Sequence, residues 1–378
     1  MRQDLPRPER DLRMDIVRGL MQLFIFISHA TGTWFAWLIP TAWGLSDSSE
    51  QFVFLSGFGL GSVFALKAAR GGWAAAARDL MARVRRLYLT HLVVFFMFGA
   101  MVLWAAMALR LPDEVAATGW MWLAAAPWKA VPGALTLLYQ PVFMGILPVF
   151  VWCMLLLPGF MWLAGHIGAW ALAVPVCLYA ATHATGLTPP ALGGTGIAFN
   201  PFAWQVLFLL GAWCGSRTLR TGRAFPAHVL LDAAAVAVLA FGLWFRLVVE
   251  YHWLPGPALP TMPFVGKEDL ALPRLLHALA LAYLVARLVP RRAGWMQAAL
   301  PQALAAAGRH SLNVFCVGLF LAWWAAMAFR LGGAARWWMD PVLMGGGVAL
   351  LLAYALAAER RRSALPAVRG VGENPPVR

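Results

Sequence analysis

Residues 83–110 read RVRRLYLTHLVVFFMFGAMVLWAAMALR, and this stretch decides the class of fold. Three arginines, Arg83, Arg85 and Arg86, come directly before an apolar run that continues from 87 to 110. A helix needs about 20 apolar residues to cross the hydrocarbon core of a bilayer. Lys and Arg collect on the cytoplasmic side of such helices. The stretch therefore predicts a membrane-spanning helix that begins on the cytoplasmic side.

The composition of the whole chain agrees with this prediction. Of 378 residues, 61% are hydrophobic and only 12% are charged, about half the charged share of an ordinary soluble domain. The net charge is +14, but the basic residues form short clusters between apolar runs. That arrangement follows the positive-inside rule, so we do not expect nucleic acid as a partner. The composition predicts an all-α, polytopic integral membrane protein embedded in a lipid bilayer.

The apolar runs predict ten transmembrane helices and a single transmembrane domain over 16–358. Residues 1–15 are predicted to be a cytoplasmic N-terminal tail, and residues 359–378 a disordered cytoplasmic tail. With the N-terminus inside, most Lys and Arg fall on the cytoplasmic side, which predicts both termini there. The predicted spans are 16–39, 51–69, 87–110, 142–164, 168–184, 202–216, 228–249, 273–289, 311–330 and 340–358.

Three outer loops are predicted to form the mouth of any site. Loop 111–141 is rich in Trp, and we expect it to lie in the membrane interface or to re-enter the membrane. Loops 185–201 and 250–272 are rich in Gly or Pro. The four cysteines fall inside apolar runs without metal-ligand spacing, so no metal is expected.

The first span carries a polar stripe. Asp15, Arg18, Gln22, His29 and Thr33 fall on one face of a helix at about 100° per residue. The rise from Arg18 to His29 is roughly 16 Å. Ionisable groups inside a span are costly and usually functional, and an imidazole can act as a general base. The alternative is a histidine that packs against a neighbouring helix.

The block SDSSEQFVFLSGFGLG, residues 46–61, opens the second span. Asp47 is a candidate helix cap, and Glu50 either complements the helix dipole or orients His29. We group His29, Glu50 and Asp47 as candidate catalytic residues. The glycines of the block and Ser56 permit close helix packing and leave room for a ligand chain.

Two further sets of polar residues are candidate binding residues. Arg83, Arg85, Arg86 and Tyr88 open the third span, where arginine forks suit phosphates. Their alternative role is a topology anchor that contacts lipid headgroups. The second set opens later spans and is expected to line a substrate cavity, although contacts between helices explain it equally well: Gln140, Asn200, Gln205 and Arg274. No P-loop, zinc-protease or Ser-His-Asp motif is present in the sequence.

Several blocks together resemble the OpgC family. They are RDLRMDIVRGL at 10–20, FIFISHATG at 24–32, GLSDSSEQFVFLSG at 44–57, RRLYLTH at 85–91, LYQPVFMGILPVFVW at 138–152, NPFAWQVLFLLGAW at 200–213 and GRHSLNVFCVG at 308–318. The chain is also similar to the wider type-3 membrane acyltransferase superfamily. Its members show in span 1 an Arg, ten intervening residues and then a His, matched here by Arg18 and His29. Their Arg-x-x-Arg motif is matched by Arg83 and Arg86.

The sequence departs from the family pattern at two places. Ala30 and Thr31 stand where the family often has a larger polar or charged residue, and SDSSE replaces SDAAE while keeping Asp47 and Glu50. The resemblance implies an inner-membrane, multi-pass acyltransferase that adds succinyl groups to osmoregulated periplasmic glucans.

The resemblance also implies roles for the polar residues. Arg18 and the basic loop 67–86 would hold the phosphates of an acyl-CoA donor, either succinyl-CoA or acetyl-CoA, and His29 would meet the thioester. His29 would then act as general base or carry the acyl group, and the sequence does not separate the two. Two alternatives stay open: acetyl transfer to an exopolysaccharide or lipid-linked sugar, and a glycan transporter. A homo-oligomer is a further expectation without a sequence signal.

Overall fold

The computed structural model describes residues 11–364, and within them the chain forms helices and no strand. The all-α prediction is therefore confirmed for this part of the chain. Most of the predicted N-terminal tail, residues 1–10, and residues 365–378 of the predicted C-terminal tail lie outside the described residues. The last helix continues to Ala364, beyond the predicted end of the domain at 358.

Fifteen α-helices are found in the described residues, ten of them at the positions of the predicted spans. In chain order, α1 to α15 are Leu12–His29, Ser48–Gly71, Trp73–Ala108, Pro112–Ala117, Met121–Ala125, Pro127–Leu135, Ile146–Ile167, Ala173–Thr185, Pro201–Thr221, Val229–Phe245, Met262–Val265, Leu272–Leu288, Ala299–Arg309, Ser311–Leu331 and Arg336–Ala364. Short 3₁₀ turns and one π turn connect some of them.

Between residues 11 and 364, six helical segments are long and apolar enough to cross a membrane, which indicates a membrane protein. They are Ser48–Gly71, Trp73–Ala108, Ile146–Thr185, Val229–Glu250, Ser311–Leu331 and Arg336–Ala364. Ile146–Thr185 contains both α7 and α8, and Gly168 separates the two with a φ of +60°. The count of ten crossings and the orientation of the termini stay predictions.

The first helix ends earlier than predicted. The sequence predicts a span to residue 39, but α1 stops at His29. Gly32 then has a φ of +96°, which favours glycine, and the Thr33 hydroxyl accepts from the Phe35 amide to start a 3₁₀ turn. His29 therefore lies at the end of its helix, next to the loop, and not in the middle of a continuous span.

Close glycine contacts hold α1 and α2 in place. A Cβ added at Gly57 of α2 would fall on the carbonyl oxygen of Phe208 in α9, and one at Gly61 would fall on that of Ala212. On α1, Gly19 approaches the Leu304 carbonyl of α13 in the same way. Small residues let helix backbones approach closely in membranes. The predicted close packing at the α2 glycines is present, and α9 is the partner.

The predicted outer loops form structure of their own. Loop 111–141 contains the short helices α4, α5 and α6, and Trp120 is fully buried against Phe95 and Phe98 of α3. Loops 185–201 and 250–272 meet at Asn200. Its amide donates to Leu187 O at 2.7 Å and to Asp269 Oδ1 at 2.8 Å.

Candidate active site

His29 is held in one tautomer by its own helix. Its Nδ1 lies 2.7 Å from the carbonyl oxygen of Ile25. Because a carbonyl oxygen only accepts, Nδ1 carries the proton and donates it, and Nε2 keeps its lone pair. The ring packs against Phe143, with the centroids 4.6 Å apart. The half-buried imidazole is thus oriented with its basic nitrogen available.

A narrow crevice between α1 and α14 runs along His29. Gln22, Ile25 and His29 line it from α1, and Phe315 and Leu319 line it from α14. Gln22 precedes His29 by two helical turns on the same face, as the polar stripe predicts. The crevice therefore follows part of the predicted stripe of the first helix.

The start of α2 carries a cluster of buried ion pairs. Arg274 of α12 donates through Nε to Glu50 Oε1 at 2.7 Å and through Nη2 to Asp47 Oδ2 at 3.0 Å. Lys267 also donates to Asp47 Oδ2, at 2.7 Å. Glu50 is 0% exposed and Arg274 is 4% exposed. The two acids thus face two cations in a part of the protein with little solvent.

The same two acids cap the helix. Asp47 accepts from the Ser49 amide, and Glu50 accepts from the Asp47 amide at 2.8 Å, which completes a capping box. Glu50 contacts Arg274 and the cap, and no hydrogen bond to His29 is found among the described residues. The predicted capping role of Asp47 is present, whereas the expected direct contact between Glu50 and His29 is not.

The charges of this cluster interact with His29 electrostatically, without a hydrogen bond to it. The carboxylate of Asp47 and the ammonium group of Lys267 both act electrostatically on the imidazole. Burial opposes ionisation of Asp47, but the charges of Lys267 and Arg274 outweigh it and hold the pKa of Asp47 well below its usual value. Asp47 is therefore a fixed negative charge near His29.

Three predicted substrate residues bind the protein backbone. Gln140 donates to Leu137 O and accepts from the Ala198 amide. Gln205 donates to Pro175 O at 2.8 Å, and Asn200 caps α9. All three are buried. These contacts join loops and helices, so a role toward substrate is a prediction that the structure leaves untested.

The predicted donor residues lie in different surroundings. Arg18 donates to the Leu55 carbonyl of α2 at 2.9 Å and lies beside Gly59. Ser56 is on the same helix and half-buried. Tyr88 donates from its hydroxyl to Leu135 O at 2.8 Å, which joins α3 to α6. The structure places Arg18 between α1 and α2 and gives Tyr88 a packing contact.

Arg83, Arg85 and Arg86 of α3 are exposed. Arg83 pairs with Asp79 on its own helix at 3.0 Å. Arg85 and Arg86 line a shallow cleft of about 400 Å³ that is formed by α3 alone. The structure does not bring these side chains into the crevice at His29, and their phosphate-binding role stays a prediction.

One large cavity in the described residues was not predicted. It has a volume of about 730 Å³ and lies between α1, α2 and α12, with apolar walls. Four arginines line it toward one end: Arg13, Arg223, Arg287 and Arg291. In the sequence these residues are only topology signals, because nothing in the chain order shows that the loop after α9 meets the end of α12.

Other residues of the site were also missed. Lys267 lies in a Pro-rich loop that carries no motif. Ser46 and His277 form a buried contact of 2.7 Å between the hydroxyl and Nδ1. Only the fold brings them together. Within the described residues, no group of three His, Cys, Asp or Glu is placed to hold a metal ion.

Comparison with known proteins decides the family. The family described as OpgC protein matches residues 10–363, nearly the whole chain. The chain belongs to the OpgC family. No curated protein matches it, and no solved structure does either. Membership in the OpgC family points to an acyltransferase that acts on glucans, and the matched range includes both His29 and the ion pairs at the start of α2.

Proposed function

We propose that this OpgC-family protein is an inner-membrane O-acyltransferase. It moves an acyl group, succinyl first of all, from cytosolic acyl-CoA to a hydroxyl of a periplasmic glucan. The observation that carries the proposal is the 2.7 Å contact between His29 Nδ1 and Ile25 O, which leaves Nε2 as a base at the end of α1. In this proposal ten helices cross the membrane, with both termini in the cytoplasm.

The proposed reaction uses His29 as general base. Nε2 takes the proton of the acceptor hydroxyl while the hydroxyl oxygen attacks the thioester carbonyl carbon. The tetrahedral intermediate collapses, the carbon–sulfur bond breaks, and its electron pair leaves with the sulfur. The CoA thiolate then takes the proton from the imidazolium. An ester and free CoA are the products, and His29 returns to its starting tautomer.

The length of the donor supports this arrangement. From standard bond lengths, an extended pantetheine arm spans about 16 Å between its sulfur and the nearest phosphorus. The rise from Arg18 to His29 is also about 16 Å. A thioester at His29 therefore leaves the diphosphate at the level of Arg18. Arg86 lies 14 residues beyond the turn at Gly72 and Gly59 lies 13 before it, so Arg86 is about level with Gly59, which Arg18 contacts.

A second candidate for the phosphate site is the end of the large cavity. Arg223 and Arg291 line it, and its volume of about 730 Å³ is that of a small-molecule site. His29 does not line this cavity. A donor bound there would have to pass its acyl group between α1 and α2, so the Arg18 route is preferred.

The acceptor is proposed to approach from the loops. His29 is the last residue of α1. Lys267 lies in loop 250–272, and its ammonium charge acts on the imidazole. Asp47, held ionised beside Lys267, favours the imidazolium that forms in the transition state, whereas the larger effect of the Lys267 ammonium opposes it. Asp47 and Glu50 are thus proposed as positioning residues, and proton transfer is assigned to His29.

The test uses purified protein in lipid nanodiscs with radiolabelled succinyl-CoA or acetyl-CoA and an oligomeric glucan. We expect label in the glucan, released by mild alkali, and faster transfer from succinyl-CoA. Transfer from acetyl-CoA alone would favour the acetyltransferase alternative. No transfer from either donor, together with glucan flux through the protein in liposomes, would favour a transporter and contradict the proposal.

A further inference from the structure

Gln22 is a buried polar side chain with nothing to bind. It is 2% exposed, and neither Oε1 nor Nε2 has a hydrogen-bond partner among the described residues. The side chain lines the crevice that also contains His29. A buried amide without partners costs free energy, most of all where no water reaches it. The crevice is closed to a water molecule in this structure, so a polar group that binds Gln22 must separate α1 from α14 at this point.

His91 of α3 is in the same condition. It is 0% exposed, and neither ring nitrogen has a partner in the described part of the chain. Phe98 is seven residues further along, on the same face of α3. Phe98 contacts Phe320 of α14 and also Phe143, whose ring contacts His29. The face of α3 that carries His91 is therefore turned toward His29 and α14.

The two residues lie at the same depth. Gln22 is about one turn from Arg18 on the side of His29, and Arg18 contacts Leu55 of α2. The α2–α3 hairpin turns at Gly72, and His91 lies as far beyond this turn as Val53 lies before it. Gln22 and His91 thus lie within about one helical turn of each other in depth.

We propose that Gln22 and His91 form a subsite for the amide groups of the donor's pantetheine arm; this inference rests on the proposed acyl-CoA function. Standard bond lengths put the two amide nitrogens of the arm about 4 and 10 Å from the sulfur. Gln22 lies about 10 Å along the helix axis from His29, toward Arg18. A thioester held at His29 would therefore bring an amide to the level of Gln22 and His91.

The chemistry of the two side chains fits amides. Gln22 accepts an amide N–H through Oε1 and donates from Nε2 to an amide carbonyl. A neutral imidazole has one donor and one acceptor nitrogen, so His91 can make the same two kinds of bond. The subsite recognises the neutral part of the donor, while arginines recognise its phosphates. Gln22 and His91 are positioning residues and do not touch the reacting carbon.

The test compares two donors and two variants. Kinetics are measured with succinyl-CoA and with S-succinylpantetheine, which keeps both amides and lacks the nucleotide. Gln22→Leu and His91→Phe should each raise KM about tenfold for both donors, the value of one lost hydrogen bond. We expect kcat to change little. S-succinyl-N-acetylcysteamine keeps only the amide about 4 Å from the sulfur, which does not extend to Gln22, so neither variant should change the KM for this donor.

The matched control is Gln51→Leu. Gln51 is also a buried glutamine, but it donates to Ala278 O at 2.9 Å. Its replacement should lower the melting temperature and leave the KM for each donor unchanged, whereas Gln22→Leu should raise both KM values and not lower the melting temperature. The KM of His91→Gln should be closer to the wild-type value than to the raised KM of His91→Phe.

Two outcomes would overturn the subsite, and one concerns the function itself. An unchanged KM for S-succinylpantetheine in folded Gln22→Leu protein would contradict an amide contact. A lower melting temperature with a lower kcat and an unchanged KM would assign Gln22 to packing. Absence of transfer by the wild-type protein would instead contradict the proposed function, so the two failures are distinguishable.

Discussion

Arg274 Nε donates to Glu50 Oε1 at 2.7 Å and so joins α12 to the first turn of α2. The guanidinium also binds Asp47 and the carbonyl of Val265. The cap of α2, the loop that carries Lys267 and the start of α12 are thereby held together. Because the charge of Asp47 acts on His29, this contact also sets the electrostatic surroundings of the proposed base.

The first prediction concerns this buried ion pair. Arg274→Met should lower stability by about 3–5 kcal/mol, since it leaves Glu50 buried without its cation. Adding Glu50→Leu should recover part of the loss because the uncompensated charge is removed. Melting temperatures of the two single variants and the double variant in the same detergent measure the coupling. Additive losses in the double variant would contradict a direct pair.

The second prediction concerns acid stability. The pKa of Asp47 is lower in the folded protein than in the unfolded chain. Its stabilisation is therefore fully present above the usual Asp pKa, near about 4, and is lost as the pH falls toward the lower folded value. Melting temperature measured from neutral pH downward should fall less steeply in Asp47→Asn than in wild type. Parallel curves would show that Asp47 does not contribute.

The third prediction concerns topology. The four native cysteines, Cys153, Cys177, Cys214 and Cys316, are replaced, and single cysteines are placed at exposed positions 78, 129 and 220. A membrane-impermeant thiol reagent should label position 129 in intact cells and should reach 78 and 220 only after lysis. Labelling of 78 from outside would contradict the cytoplasmic assignment of loop 67–86.

The fourth prediction separates the two candidate phosphate sites. Arg83→Ala with Arg86→Ala should raise the donor's KM roughly tenfold or more, because charge-assisted contacts contribute about 1.5–3 kcal/mol each. The matched pair, Arg223→Ala with Arg291→Ala, should leave it unchanged. The reverse result would assign phosphate binding to the large cavity and would leave Arg83 and Arg86 with the role of topology anchors.

The sequence predicts the elements that depend on local pattern. The apolar runs predict helices at ten positions where helices are found, and the capping block at Asp47 and Glu50 predicts the start of α2. The end of α1 was predicted wrongly because WFAWLI is as apolar as a span. Hydropathy does not register that Gly32 and the Thr33 cap turn the chain into a 3₁₀ helix.

Contacts between distant segments could not be predicted. Orientation of His29 was one of the two roles predicted for Glu50, but an arginine 224 residues away binds its carboxylate. Gln140, Asn200 and Gln205 were predicted to line a cavity or to make contacts between helices. Each binds a backbone group that only the folded chain brings near. A polar residue in an apolar run predicts a hydrogen-bond partner, but the sequence does not identify that partner.

His29 provides the most direct test of the account. His29→Ala and His29→Gln are compared with wild type for acyl transfer to glucan, for donor binding and for melting temperature. Loss of a general base reduces the rate by about 100- to 10,000-fold. We predict that both variants lose transfer to this extent while they still fold and bind the donor, because glutamine keeps hydrogen bonds but cannot cycle a proton. Transfer by His29→Gln near the wild-type rate would contradict the catalytic assignment.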